Sequence, residues 1–423
     1  MTALVALLLC AAPSTVYVRA GRLFDGTGDG VKRDVVLEIE GDRIKSVGAQ
    51  VPPGAEVIDL SGATVLPGLI DVHVHLTSRA DHFEDIWQFK TSFPQEAMVA
   101  VVHARRTLEA GFTTVRDVGG PPFAAADLRD LINEGYLPGP RIVASGPCIS
   151  ITGGHCDLNN YPPSVHVTLF PAERDFAQAD GIDEMRHVVR AQIQHGVDVI
   201  KVAASGGVFS RGDTPGAPQL TVEEMRIAVF EAHKTGRRVA AHAHGTQSIK
   251  DALNAGVDSI EHATLIDDDG IRLLKEHGAW MVGDLYNDDV ILGKAEELHI
   301  PKEYVEKERA IGQLQRQNWA KAVRAGVKAA FGTDAGIFPH GENAKQLAVY
   351  VRYGMTPAQA IRSATSVAAD LLGRSHDVGT LQAGRYADLI AVRGDPLADV
   401  RVLESVPFVM KGGKIVKDDL RRR

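Results

Sequence analysis

The sequence predicts an α/β protein built on a (β/α)8 TIM barrel, with short β-rich stretches at either end of the chain. Three observations predict it. Apolar strand-like runs alternate with helix-like stretches through the middle of the chain. Several helices stop at an Ala-Gly step that leads directly into the next strand. Residues with metal-binding side chains recur at the ends of those strands, where such barrels carry their chemistry.

The elements follow in order. Ala3 to Ala12 is an apolar run ahead of Pro13. It is too short to span a bilayer, which takes about 20 apolar residues. It reads as the h-region of a secretory signal, with Ala11 and Ala12 at the cleavage position, although a basic n-region is missing. Residues 1–15 are therefore read as signal-like, and the protein as periplasmic or secreted; the alternative is a cytoplasmic protein with an apolar leading strand. Val16–Ala20, Val35–Ile39 and Ile44–Val47 alternate as strands, with a hairpin signal at Gly41-Asp42. Eight strand-like runs come next: Leu69–His75, Thr113–Val118, Arg141–Ser145, Val199–Ala204, Arg238–His244, Ser259–His262, Trp280–Leu285 and Lys328–Thr333. Between them lie helical stretches such as Glu96–Ala110, Glu184–His195, Val222–Thr235 and Lys302–Ala325. Thr221 and Glu224 form a capping box at the start of the third of these. Ala387–Val392, Phe408–Met410 and Lys414–Ile415-Val416, with a turn at Gly412-Gly413, complete the β-rich end.

Composition narrows the function classes. The 423 residues are 44% hydrophobic and 24% charged, ordinary for a globular protein. The net charge of −8 argues against nucleic acid or anionic lipid as the main partner, and no stretch is long enough for a membrane span. Three cysteines are too few for a disulfide framework, and they are read as free thiols. Cys148 and Cys156 could pair in an oxidising compartment if the N-terminus is cleaved.

The polar residues at strand ends carry the chemical reading. His73 and His75 are two apart and so share one face of the first barrel strand. His242 and His244 repeat the pattern on the fifth, His262 ends the sixth, and Asp334 follows the eighth. Any one of these has a structural explanation; together with Lys201 on the fourth strand they place ligand types on five strands, which indicates one or two divalent cations of the zinc class. Lys201 lies inside the apolar fourth strand, where burial of an unpaired ammonium is costly. It is a Lys that snorkels or pairs with a carboxylate, a Schiff-base amine, or an amine that captures CO2 as a carbamate able to bridge two cations. Asp117, ending the second strand, reads as structural.

These residues resemble the amidohydrolase superfamily. The likeness covers nearly the whole chain and rests on Leu66–His75, Lys201, His242, Ser259–His262, Gly332-Thr333-Asp334 and Gly379–Leu389. It implies a small β-sandwich formed by 16–66 and 377–423 beside a barrel of 67–376. It also implies a binuclear centre of two divalent cations, expected to be zinc, bridged by a CO2-derived carbamate on Lys201. His73, His75 and Asp334 would hold one cation, and His242 and His262 the other; were His242 turned away, His244 would take its place. Within the superfamily the chain is similar to imidazolonepropionase-like members such as Xaa-Pro dipeptidases, zinc carboxypeptidases and ochratoxin-hydrolysing amidases. Thr152–His155, Ala241–Gly245 and Leu285–Asp288 support that narrower likeness. Relatives of this kind imply a homo-oligomer.

The expected reaction is attack of a metal-bridging hydroxide on an amide carbonyl, with Asp334 and the Lys201 carbamate as catalytic groups. The expected substrate is a dipeptide or N-acyl amino acid with a free carboxylate, contacted by His155, His244, Tyr286 and Arg211. The alternatives are a cyclic amidohydrolase or deaminase of the same superfamily, and a scaffold without metal.

Overall fold

The computed structural model describes residues 14–83, 86–157 and 173–421. The apolar run Ala3–Ala12, and Cys10 within it, lie outside the described residues, as does most of the 1–15 segment.

Four strands open the chain: β1 (Thr15–Leu23), β2 (Lys32–Glu40), β3 (Arg43–Val47) and β4 (Val57–Pro67). Eight follow in the middle: β5 (Leu69–Val74), β6 (Phe112–Asp117), β7 (Arg141–Ala144), β8 (Val199–Ala203), β9 (Arg238–Ala243), β10 (Ser259–His262), β11 (Trp280–Gly283) and β12 (Lys328–Phe331). The last three are β13 (Leu389–Val392), β14 (Phe408–Lys411) and β15 (Lys414–Asp418).

The two chain ends build one sheet of seven strands, in the order β15-β14-β13-β4-β1-β2-β3. Alternating side chains of both ends, among them Val18, Leu37, Ile44, Val65, Leu389 and Phe408, fill a single core. The sheet bends so that its β14–β15 and β2–β3 turns meet. A Cβ on Gly413, in the β14–β15 turn, would stand 2.2 Å from the carbonyl of Gly41, in the β2–β3 turn. Glycine is required there because nothing larger fits. This closes the expected sandwich from one bent sheet.

β5 to β12 are parallel, and each pairs with its chain neighbour in two sheets, β5-β6-β7 and β8-β9-β10-β11-β12. Two bridges join these into a ring. Ser145 meets Val199, with Asp198 N donating to Ala144 O at 2.7 Å. Val74 meets Ala335, with His75 N donating to Ala335 O at 2.9 Å. All eight expected barrel strands are present. Several end a residue or two early, because His75, His244 and Asp334 leave the ladder to aim their side chains at the mouth.

The helices obey the local signals. Thr221 and Glu224 form both arms of the capping box on helix Val222–His233. The Ala-Gly steps end their helices as expected, with Gly256 at φ +93° and Gly326 at φ +77°. Helix Phe93–Glu109 begins earlier than expected, because Ser92 caps it and Pro94 suits its first turn. Helix Lys302–Arg324, of 23 residues, buries one face, and its Trp319 lies against Gly283 of β11. Among the described residues no helix is long and apolar enough to cross a membrane.

Tyr386 fastens the sheet to the barrel. The guanidinium carbons of Arg43 and Arg141 lie 3.6 and 3.5 Å from its ring centre. Arg141 also grips Asp388 with two hydrogen bonds of 2.8 and 3.2 Å.

Cys148 and Cys156 are joined by a disulfide, which corrects the reading of these two as free thiols. The chain doubles back after β7, bringing their Cα atoms to 5.9 Å.

Candidate metal centre

His73 and His75 project from the end of β5, Lys201 from β8, His242 and His244 from the end of β9, and His262 from the end of β10. Asp334 follows β12. All seven line one cavity of about 220 Å³ at the barrel mouth. The donor atoms of His73, His262 and Asp334 lie within 4.8 Å of one another, as do those of His242, His244 and His262. His262 is common to both groups. His75 Nε2 is 3.1 Å from Asp334 Oδ1, and His73 Nε2 is 3.6 Å from the same oxygen.

Second atoms on each ring fix the orientation. His73 Nδ1 meets Glu261 Oε2 at 2.9 Å, and His75 Nδ1 meets Gly119 O at 2.7 Å. His244 Nδ1 meets Thr264 Oγ1 at 2.7 Å, and His262 Nδ1 stands 3.0 Å from Asp284 Oδ2. Nε2 of His242 is buried without a hydrogen-bond partner. In a native interior such an atom is rare, and it marks a place for a ligand.

The electrostatics suit cations. Burial holds the His242 and His244 rings well below the usual histidine range, so both are neutral and able to ligate. Burial lowers His73 to about 4 and Lys201 to about 8. Burial would raise Asp334, but the adjacent His73 and His75 outweigh it and keep the carboxylate ionised.

The backbone is bent to allow this. His262, Ala263 and Asp334 adopt φ of +69°, +51° and +59°, conformations that L-residues seldom take. The surroundings hold them there. Asn287 Nδ2 donates to both Asp284 Oδ2 and Asp334 Oδ2, at 2.9 and 3.3 Å. Gln315 Nε2 donates to Asp284 Oδ1 at 2.7 Å and to His262 O at 3.2 Å. Asp71 accepts from Thr333 and Asn343, pinning β5 to the segment after β12.

His155 also reaches the cavity. Its ring stacks on His242 with centres 3.9 Å apart, and its Nδ1 meets Ser210 Oγ at 2.8 Å. Ser210 donates to Asp213, which Lys307 holds at 2.9 Å. Gly207 is tight against the ring: a Cβ there would be 2.3 Å from His155 Cε1.

Two expected substrate contacts are not brought into the cavity. Tyr286 starts helix Tyr286–Gly293, and its hydroxyl donates to Glu342 at 3.4 Å, away from the histidines. Arg211 Nε lies 3.6 Å from Glu303 on the outer end of the long helix. Asp117 is structural, accepting backbone N–H groups from Leu76 and Gly119. Sequence reasoning missed Asp284, Asn287, Gln315 and Glu308, all of which line the cavity. Asp284 carried a signal, since it follows β11 directly; the others come from helices.

A model of the amidohydrolase family matches residues 64–416. Ochratoxinase of Aspergillus niger is 32% identical over 420 residues, covering 95% of this chain and 86% of the relative. The solved structure of a Xaa-Pro dipeptidase with methionine in its active site superposes with a TM-score of 0.88 at 37% identity, covering 95% of this chain and 99% of that one. A prolidase solved with N-methylphosphonate-L-proline gives a TM-score of 0.88 at 31% identity, covering 96% and 100%. Ring of strands, strand-end histidines and matched sequence agree: the chain belongs to the amidohydrolase family and is a hydrolase of carbon–nitrogen bonds.

Proposed function

We propose that the chain is a binuclear metal-dependent amidohydrolase that cleaves a dipeptide or N-acyl amino acid bearing a free carboxylate. The carrying observation is the convergence of His73, His75, His242, His262 and Asp334 on one cavity, with the buried Nε2 of His242 left for a ligand. The donor set of imidazoles and a carboxylate fits divalent cations of the zinc class. Lys201, on the same wall, is the residue to bridge them as a carbamate. His244 is the second candidate ligand beside His242, since its donor lies in the same group.

Two bound cations would polarise the amide carbonyl and acidify a water. Asp334 is placed to receive the proton of the attacking water and return it to the leaving nitrogen. Its ionised state makes it ready to accept. His155, held by Ser210, is placed to orient the substrate beside His242. With Tyr286 and Arg211 turned elsewhere, the substrate carboxylate falls to His155 and His244. The ligands of the two solved relatives, methionine and a proline phosphonate, are amino-acid derivatives, which supports this substrate class.

The test is a hydrolysis panel with zinc-loaded protein: Xaa-Pro, Xaa-Arg and Xaa-Phe dipeptides, N-acyl amino acids, ochratoxin A and a cyclic amide. Carboxyl-blocked partners should lose about ten- to a hundredfold in kcat/KM, the worth of a charge-assisted hydrogen bond. Chelation should abolish activity. Activity on the cyclic amide alone would move the assignment to the cyclic class, and full activity without metal would reject the mechanism.

A further inference from the structure

One face of helix Lys302–Arg324 lines the cavity through Glu308, Ile311 and Gln315. Gln315 is committed to Asp284 and His262. Glu308 precedes it by two turns, about 10 Å along the axis.

Glu308 is 6% exposed and lines the cavity, yet it has no hydrogen bond or ion pair among the described residues. Behind it stands Asp288, whose Oδ2 holds Arg316 at 2.7 Å and whose Oδ1 is buried without a partner. Both carboxyls converge on Gly312. At the point where a Cβ would stand, Asp288 Oδ1 is 2.5 Å away and Glu308 Oε1 is 2.8 Å away. Only glycine leaves room for the pair.

Burial pushes the Glu308 carboxyl up to about 8, and Asp284, Asp288 and Asp334 push the same way. The one guanidinium opposing them, Arg316, is already shared between Asp288 and Asp289. An acid that is desolvated, unpartnered and faced by further acids is stabilised by a cation. The cavity lining also includes the apolar side chains of Val208, Phe209 and Ile291, which suit hydrocarbon.

We propose that Glu308, backed by the free oxygen of Asp288, is a subsite for a substrate ammonium or guanidinium group in the same cavity as the scissile amide. This rests on the amidohydrolase reading above and narrows it. Of the two substrate classes it selects cationic dipeptides over neutral N-acyl amino acids. The cation is either the free α-ammonium or a basic side chain.

The test compares Ala-Phe, N-acetyl-Ala-Phe and N-acetyl-Lys-Phe on zinc-loaded, full-length enzyme. If the cation is the α-ammonium, Ala-Phe should exceed N-acetyl-Ala-Phe in kcat/KM by about ten- to a hundredfold, chiefly through KM; if it is a side chain, N-acetyl-Lys-Phe should exceed N-acetyl-Ala-Phe by a similar factor. An α-ammonium source leaves N-acetyl-Lys-Phe as poor as N-acetyl-Ala-Phe; a side-chain source makes it the best of the three. Glu308→Gln should collapse these ratios towards one. Equal rates on all three in the wild type, or ratios unchanged in Glu308→Gln, overturn the subsite while leaving the amidohydrolase reading intact. If the wild type cleaves none of the three, the reaction reading fails for this class and the peptides become stable ligands for calorimetry. Tighter binding of a cationic peptide, lost in Glu308→Gln, then supports the subsite, and equal binding overturns it.

Discussion

His73 Nδ1 lies 2.9 Å from Glu261 Oε2, and neither side chain is more than 2% exposed. The contact commits Nδ1 and leaves Nε2 facing Asp334. Arg116, buried in the barrel, donates to the other Glu261 oxygen at 2.7 Å. Glu261→Gln should therefore weaken metal binding by about ten- to a hundredfold. It also strands the Arg116 charge, so the melting temperature should fall. Chelator competition and thermal unfolding measure the two effects; unchanged metal affinity would show that His73 needs no such orientation.

Lys201 separates a carbamate from an ordinary buried ammonium. Lys201→Ala should abolish activity, and a short-chain carboxylic acid should restore part of it. Lys201→Arg should stay inactive, because a guanidinium remains cationic and cannot ligate. A near-normal rate in Lys201→Arg would remove the carbamate from the scheme.

The Cys148–Cys156 disulfide lines the cavity and closes the loop that carries His155. Closing a loop of this size contributes roughly 2–3 kcal/mol by the chain-entropy model. Reduction, or Cys156→Ser, should lower both the melting temperature and kcat/KM, as His155 loses its fixed place over His242. A full rate after verified reduction would show that Ser210 and stacking suffice.

Glu231 gives a pH signature remote from the candidate metal centre. It accepts two hydrogen bonds from Arg190, at 3.0 and 2.8 Å, and contacts Lys234. The Arg190 hydrogen bonds, aided by Lys234 and opposed by burial, lower its carboxyl to about 2. A depressed folded pKa stabilises above the unfolded value, near 4.5, and that stability is lost as pH falls through about 2. Glu231→Gln should cost about 1–2 kcal/mol at pH 7, allowing for the exposure of Arg190. Denaturant titrations should show the gap to wild type closing towards pH 2. A gap constant with pH would mean that packing, not charge, sets it.

Legibility in the sequence follows the range of the signal. The eight barrel strands were readable because each is a short apolar run bounded by turn residues, and His73 to Asp334 because strand ends place them predictably. Glu308 and Gln315 were not readable: a polar residue on a long helix looks the same whether it faces water or a cavity. Tyr286 and Arg211 show the converse. Each follows a barrel strand in the sequence, but their side chains meet Glu342 and Glu303, distant in sequence. The disulfide depended on a loop path that three scattered cysteines do not encode.

The seven-stranded sheet has a temporal consequence. β4 pairs with β1 on one side and with β13 on the other. Some 320 residues separate Pro67 from Leu389. At ribosomal rates of about 5–20 residues per second, β4 waits roughly 15–60 s for its partner. Throughout that interval it offers an unsatisfied, apolar edge to any neighbouring nascent chain. A polysome making this protein thus displays many copies of the same sticky strand at once, so its yield should depend on how quickly the tail is delivered or on a chaperone that shields the edge until then.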